Sequence, residues 1–329
     1  MGQFSQMEVV QHYGNLTDSK FTLADRAQSK IVCMRNYNNW LKGVLLGKVV
    51  RSGHSVLDLC CGKGGDLPKF ANLSIGKYTG VDITRQSVID AANRYNAHRG
   101  IRFPGSFYVA DCFSVPLSEH FPADLRFDAV SCQFAMHYAF DSEERVRQML
   151  RNITGRLVEG GFFVGTAADS NRLVAKARKL SQSTFGNSVY NVEFDSIDNF
   201  EVYGTRYFFT LCDGSVHHVP EFLVHFPTFE SIAKEYNLHL VENKNFQQFY
   251  VDNIHEGRNK EVFLRRNLPC VNASGTISDD EWEAIGLYQC FTFQLRGSGN
   301  GTGNVSGGRG SGTGKVSLQV PEAIVDLSV

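Results

Sequence analysis

The stretch Val56-Leu57-Asp58-Leu59-Cys60-Cys61-Gly62-Lys63-Gly64-Gly65-Asp66-Leu67 constrains the fold more than any other part of the chain. Residues of buried-strand character run into a turn with three glycines, and a carboxylate then opens the next element. Glycine lets the backbone turn sharply and brings a ligand close to bare peptide N–H groups, while the helix that follows offers its positive end. An open α/β sheet holds a nucleotide-like ligand in this way at its first strand-to-helix turn. The same turn can also serve packing alone.

The alternation that follows supports such a sheet. Tyr78-Thr79-Gly80-Val81-Asp82-Ile83 reads as a second strand, and Thr84 is placed to cap the next helix, whose apolar positions Val88, Ala91, Ala92 and Tyr95 recur at helical spacing. Phe107 to Ala110 and Phe127 to Cys132 read as the third and fourth strands. Asp141 then opens a helix with Glu144 in capping-box position, and the stripe Val146, Met149, Leu150, Ile153, Leu157 is its buried face. Gly160-Gly161 turns the chain into a fifth strand, Phe162 to Gly165. Strands and helices alternating at this length specify a doubly wound, mostly parallel α/β sheet.

Beyond Leu180 the pattern changes. Residues from about 181 to 227 are rich in aromatic and β-branched side chains, and Asp213-Gly214 marks a hairpin centre. A helix from Thr228 to Tyr236, a strand from Leu238 to Glu242 and a strand from Tyr288 to Leu295 suit a closing antiparallel hairpin, with the β-rich segment as an inserted lid. Ahead of the sheet lies a helical extension over residues 29–46, with Met34, Tyr37, Leu41, Val44 and Leu45 on one face and Arg35, Asn38, Asn39 and Lys42 on another. The polar stripe is suited to a phosphorylated or base-bearing ligand, or to solvent. Residues 297–329 begin with a glycine-, serine- and threonine-rich run and are expected to form a disordered tail.

Composition narrows the function classes. The net charge of −1 means that a polyanion must be gripped by a local patch. The eight cysteines form no CxxC pair, so no metal site is expected, and all are expected as free thiols. No secretory leader and no membrane-spanning run is seen, and Gln6 replaces the Ser or Thr of a myristoylation signal.

Three polar features fall at the carboxyl ends of successive strands, the edge at which such sheets bind ligands. The spacing Asp58-x-x-x-Gly62-x-Gly64 fits the acidic-x-Gly-x-Gly-x-Gly pattern of S-adenosylmethionine (SAM) methyltransferases, with Cys60 at the first glycine position. It fits a dinucleotide fingerprint less well. Asp82 ends the second strand, where a carboxylate can accept from two ribose hydroxyls. Asp111 ends the third and can accept from an adenine amino group, although any single strand-ending Asp can also cap a turn. Gln133, His137 and Tyr138, after the fourth strand, would project toward the acceptor.

Several separated motifs resemble one family. Asp58 to Leu67, Cys132-Gln133-Phe134-Ala135-Met136-His137-Tyr138, Arg35 to Lys42, Val219 to Phe226 and Glu281 to Tyr288 are similar to the eukaryotic mRNA cap guanine-N7 methyltransferases, and the resemblance runs from about His12 to Leu295. It implies a seven-stranded class I methyltransferase fold over residues 1–296. It further implies SAM as cofactor, held by Lys42, Cys60, Gly62, Asp82, Asp111, Gln133 and Tyr138. The cap would lie against Asn38, Asn39, Lys63, Lys69, Arg94, His137, Glu221 and Tyr288, with His137, Tyr138 and Glu221 positioning it. The departure is Cys60, whose side chain narrows backbone freedom where many methyltransferases have glycine.

Guanine N7 has a lone pair and no proton, so the resemblance implies in-line transfer without a general base or a metal. The capped 5′ end of mRNA is the implied partner, alongside other capping enzymes or a transcribing polymerase, in the nucleus, with the chain a monomer. Two alternatives stay open from sequence: a non-catalytic RNA-binding or activating subunit of the same fold, and a SAM methyltransferase acting on another RNA position or a small-molecule nitrogen.

Overall fold

The computed structural model describes residues 29–213, 216–267, 270–297, 317–318 and 324–327. Helix α1 (Val32–Val49) leads, burying Met34, Tyr37, Trp40, Leu41, Leu45 and Leu46 along one stripe. Then come β1 (Ser55–Leu59), α2 (Leu67–Asn72), β2 (Lys77–Asp82), α3 (Arg85–Ala97), β3 (Gly105–Val109), β4 (Phe127–Gln133), α4 (Glu143–Thr154), β5 (Leu157–Ala168) and α5 (Ser170–Leu180). The inserted segment holds β6 (Thr184–Gly186), β7 (Tyr190–Phe194), β8 (Arg206–Leu211) and β9 (Val216–Phe222). The chain continues through α6 (Phe226–Glu235), β10 (Leu238–Asn245), α7 (Phe246–Asn253), α8 (Gly257–Asn267), α9 (Asp279–Ile285), β11 (Tyr288–Leu295) and β12 (Ile324–Asp326).

The central sheet runs β10-β11-β5-β4-β1-β2-β3-β12, and β6 to β9 form a separate antiparallel sheet. Strands β1 to β5 pair in parallel, while β11 lies antiparallel between β5 and β10. Their residues are buried on both faces, as parallel strands covered by helices must be. Strand order reverses between β1 and β4, so a crevice opens at their carboxyl ends. One core fills the face under α1 and α3, and a second fills the face under α4 and α6. The expected doubly wound architecture, with a helical extension and a β-rich insertion, is present.

Several local expectations are corrected. The sheet has eight strands, not seven, because Ile324–Asp326 adds to β3 in parallel, with Leu327 N–H donating to Val109 O at 2.8 Å. That end of the expected disordered tail therefore packs; residues 298–316 lie outside the described residues. Leu157 opens β5 instead of closing the helical stripe, and Gly160, at φ +77°, lies within the strand where the β4–β5 register shifts. Helix α4 starts after Ser142, not Asp141, and Asp141 instead pairs with Arg145 at 3.2 Å. Thr84 makes no side-chain cap; its N–H donates to Asp82 Oδ1.

The cysteines are not all free. Cys33 and Cys270 form a disulfide across 237 residues of sequence. Long-range packing brings them together. Tyr37 Oη donates to Phe246 O at 2.6 Å and Trp40 Nε1 to Asn259 O at 2.9 Å, which seats α1 against α7 and the start of α8. On the polar stripe of α1, Arg35 pairs with Asp213 at 2.9 Å, Lys42 pairs with Asp66 and Asn39 accepts from Lys69, so the stripe is half-buried against protein and not a solvated outer face.

Candidate cofactor and acceptor site

The glycine turn after β1 is built on left-handed backbone. Cys60, Gly62 and Gly64 have φ of +55°, +50° and +67°. For glycine this is free, whereas Cys60 carries about 1–2 kcal/mol of strain, the physical cost of the departure noted in the sequence. Gly64 has no room for a side chain: an added Cβ would stand 2.7 Å from Leu67 Cδ1 and 3.2 Å from Ala91 Cα. The turn is thereby wedged between α2 and α3.

Asp82, at the end of β2, is locked in place. Its Oδ2 accepts from Gly62 N–H at 2.8 Å and its Oδ1 from Thr84 N–H at 2.9 Å. Burial raises its pKa, opposed by those two backbone donors. Each oxygen retains acceptor capacity for a further donor. A cavity of about 260 Å³ opens beside it, lined by Cys60, Gly62, Asp82, Asp111, Gln133 and Tyr138, with Ile83, Phe113 and Phe222 among its apolar walls. Six of the residues predicted to hold SAM thus meet around one space.

Asp111 is engaged. Arg145 grips it with Nη1 at 2.9 Å and Nη2 at 3.3 Å, and Phe113 N–H donates to Oδ1 at 2.9 Å. Arg145, itself a lining residue, was not foreseen, because nothing in the α4 pattern marks it as facing β3. Gln133 is oriented from both ends, its Nε2 donating to Ser131 Oγ and its Oε1 accepting from Thr166 Oγ1, each at 3.2 Å.

Lys42, the remaining predicted cofactor residue, is not among the cavity-lining residues. It pairs with Asp66 at 2.8 Å, and Lys69 reaches the same carboxylate at 2.7 Å while donating to Asn39 Oδ1 at 2.7 Å. Burial would raise the Asp66 pKa, but the Lys42 and Lys69 ammonium groups outweigh it and hold the carboxyl well below the usual range. The Lys69 pKa is lowered, chiefly by burial. Lys69 is therefore an inward, paired cation, unlike the open phosphate contact implied by the family resemblance. Asp66 ties α1 to the glycine loop, a role invisible in a residue that reads as a helix opener. Beneath it, burial and the Asp66 charge push the Asp58 pKa up to about 7, against the Tyr78 hydroxyl that donates to it at 3.0 Å. Lys63 is half-exposed and pairs with Asp90 at 3.2 Å. Arg94 approaches the loop at Gly65.

On the acceptor side, a short turn after β4, Met136–Ala139, places Tyr138 in the cavity and His137 behind it, ring centroids 4.2 Å apart. His137 is buried, and burial lowers its pKa, so the imidazole is neutral. Among the described residues neither ring nitrogen has a hydrogen-bond partner; Nε2 stands 3.7 Å from Glu221 Oε1. Glu221, in β9, is buried and opposes Tyr207 of β8, whose hydroxyl donates to Oε2. Tyr207 was missed in the sequence: counting outward from Asp213-Gly214 sets Arg206 opposite Glu221, and only the register shift between Phe209 and Leu211 brings Tyr207 there. Tyr288 starts β11 and meets the Phe134 ring edge-on at 5.3 Å. Asn38 Oδ1 is buried without a partner among the described residues.

Comparisons with known proteins identify the family of the chain. The sequence model of the mRNA (guanine-N(7))-methyltransferase domain matches residues 2–296. The chain is 38% identical over 313 residues to mRNA cap guanine-N(7) methyltransferase 1 of Arabidopsis thaliana, covering 89% of this chain and 82% of that protein. It is 38% identical to the Schizosaccharomyces pombe mRNA cap guanine-N(7) methyltransferase, covering 89% of this chain and 83% of the other. Against the Drosophila melanogaster mRNA cap guanine-N(7) methyltransferase it is 35% identical, covering 87% and 76%. With its glycine turn, its Asp82 crevice and a match across almost its whole length, the chain belongs to the mRNA (guanine-N(7))-methyltransferase family.

Proposed function

We propose that this chain transfers the methyl group of SAM to N7 of the terminal guanosine of capped RNA, turning GpppN into m7GpppN. The observation that carries the reading is the junction of two sites at Tyr138. On one side lies the cavity with the backbone-locked Asp82; on the other lies the buried His137, Glu221 and Tyr207 group.

The donor set fits SAM. Asp82 offers two fixed oxygens to a ribose diol, Ile83, Phe113 and Phe222 give apolar walls for a flat base, and Gln133 and Asp111 supply polar edges. Lys42, through Asp66, fixes α1 over the glycine loop at Cys60 and Gly62. When bound, SAM supplies a sulfonium-activated methyl group.

Guanine presents two N–H donor groups and one carbonyl acceptor along its base-pairing edge. Glu221 offers two acceptor oxygens, and a neutral His137 can donate one N–H, so the two residues complement that edge. Tyr288 offers a ring for the base to pack on, Asn38 has a buried acceptor to spare, and Asn39 lies beside it on α1. Lys63 and Arg94, at the outer rim of the glycine loop, suit a triphosphate bridge, with Lys69 adding charge from beneath.

N7 is an acceptor with no proton to remove. The residues therefore align the base, exclude water and present a matched electrostatic surround, and none needs to act as a base. On this reading the chain works as a monomer in the nucleus, where capping takes place, beside other capping enzymes or a transcribing polymerase.

Incubation of the purified chain with radiolabelled SAM and unmethylated capped RNA, followed by nuclease mapping, tests the reading. Label at guanine N7 is expected. Label at a 2′-hydroxyl would overturn it, since a hydroxyl must lose a proton and a base would then be required. No transfer, despite SAM binding, would favour the non-catalytic subunit.

A further inference from the structure

Tyr207 belongs to the inserted sheet, yet its hydroxyl donates to Glu221, a carboxylate on the acceptor side. The two residues are cross-strand partners in the β8–β9 register, Tyr207 is fully buried, and Glu221 is nearly so. The ring packs against Phe194 at 5.7 Å within a buried core, which limits the freedom of Oη. We infer that Tyr207 is a positioning residue that fixes the plane of the Glu221 carboxylate and thereby sets the selectivity of the site for guanine.

The argument is geometric. A carboxylate that meets two parallel donors must present both oxygens in one plane at one angle, whereas a carboxylate that meets a single donor can swing to follow it. Glu221 has its Oε2 pinned by the Tyr207 hydroxyl and its Oε1 facing His137 at 3.7 Å. Without that pin the carboxylate rotates about its terminal bond, which is soft. Two-point recognition then suffers more than one-point recognition. A site built to pair two donors discriminates against a base that brings only one, because a buried acceptor is left unpaired. The inserted sheet thus reads the base and is not merely a cover.

This inference rests on Glu221 receiving the guanine edge, and the experiment separates the two. The rate constants to compare are kcat/KM for RNA capped with guanosine and for RNA capped with inosine, which lacks the 2-amino group. Their ratio is insensitive to the fraction of folded enzyme. Tyr207→Phe is expected to lower kcat/KM for the guanosine cap about tenfold, to lower the inosine value far less, and so to collapse the ratio. SAM affinity should hold, and Tyr207→His, which keeps a ring donor, should restore part of the ratio. An unchanged ratio in a variant that still binds SAM overturns the role of Tyr207. If Tyr207→Phe fails to bind SAM, Glu221→Asp draws the carboxylate back from Oη and must show the same collapse; a retained ratio there is equally fatal. Glu221→Gln tests the underlying reading: normal guanosine-cap kinetics in that variant would remove Glu221 from the acceptor site and the inference with it.

Discussion

Asp82 illustrates how much one side chain can decide when the backbone fixes it first. Both of its oxygens accept from main-chain N–H groups, so the carboxylate meets a ribose without reorganising. Asp82→Ala should remove two charge-assisted bonds to the ribose, each about 1.5–3 kcal/mol, and weaken SAM at least about tenfold by calorimetry. Unchanged affinity would place the ribose elsewhere. Glu221→Gln should show the opposite pattern. An amide donor would then face guanine donors, lowering kcat/KM for capped RNA about a hundredfold while SAM binding holds. Weak SAM binding with normal cap methylation would reverse the division of the site. Asp58 adds a pH signature. Its folded pKa of about 7 lies above the ordinary 3.8, so between those values the native state holds a proton that the unfolded chain has released. Its contribution to stability therefore falls as pH rises from about 4 to 7. Asp58→Asn lacks this penalty, and its melting temperature relative to the parent should rise from pH 5 to pH 8. A constant difference would mean Asp58 is ionised throughout.

Elements matter here mainly through where they end. Strands β1, β2, β3 and β4 deliver the glycine turn, Asp82, Asp111 and Gln133 to one edge of the sheet. Helix α1 brings Lys42 and Asn39 to that edge from outside, through the shared carboxylate of Asp66. Strand β12 covers the exposed side of β3, and the Arg85–Asp326 ion pair at its end is too exposed to add much. Deleting residues from 298 onward should lower the melting temperature by about 2–4 °C, because a short edge ladder and the buried Ile324 contribute only on the order of 1 kcal/mol. Methyl transfer should persist, since β12 touches none of the lining residues through its own ladder. A loss of activity would make the edge strand part of the site.

At the scale of the whole molecule, the chain closes on itself through its first and last thirds. Tyr37 and Trp40 of α1 pack with Tyr250, Phe263 and, for Tyr37, Trp282 at centroid distances of 5.4 to 6.3 Å. The Cys33–Cys270 disulfide spans 237 residues alongside this cluster. A cross-link over so long a loop removes much conformational freedom from the unfolded chain, about 2–4 kcal/mol in typical cases. Cys33→Ser should therefore melt several degrees below the parent when both are oxidised, and the two should coincide in excess reductant. A difference that survives reduction would assign the effect to packing at Cys33.

Local patterns were sufficient for the architecture. A strand that ends in a glycine turn, followed by three more strands with polar carboxyl ends, is written in neighbouring residues, and Asp82 and Gln133 could be located because each simply terminates a strand. The partners of those residues were not legible in the same way. Asp66 with Lys42 and Lys69, Arg145 with Asp111, Tyr207 with Glu221, and Cys33 with Cys270 pair residues whose separation in sequence has no period. The fate of Lys69 shows the consequence, because the resemblance made it a phosphate contact, whereas burial and the neighbouring Asp66 carboxylate turn it inward. The sequence by itself determined the parallel core of the sheet, its binding edge and the residues at the strand ends, since these depend on spacing along one chain segment. Only the tertiary structure decided which charges are paired, which carboxylate is pinned and which cysteines meet, since these depend on the packing of distant segments against one another.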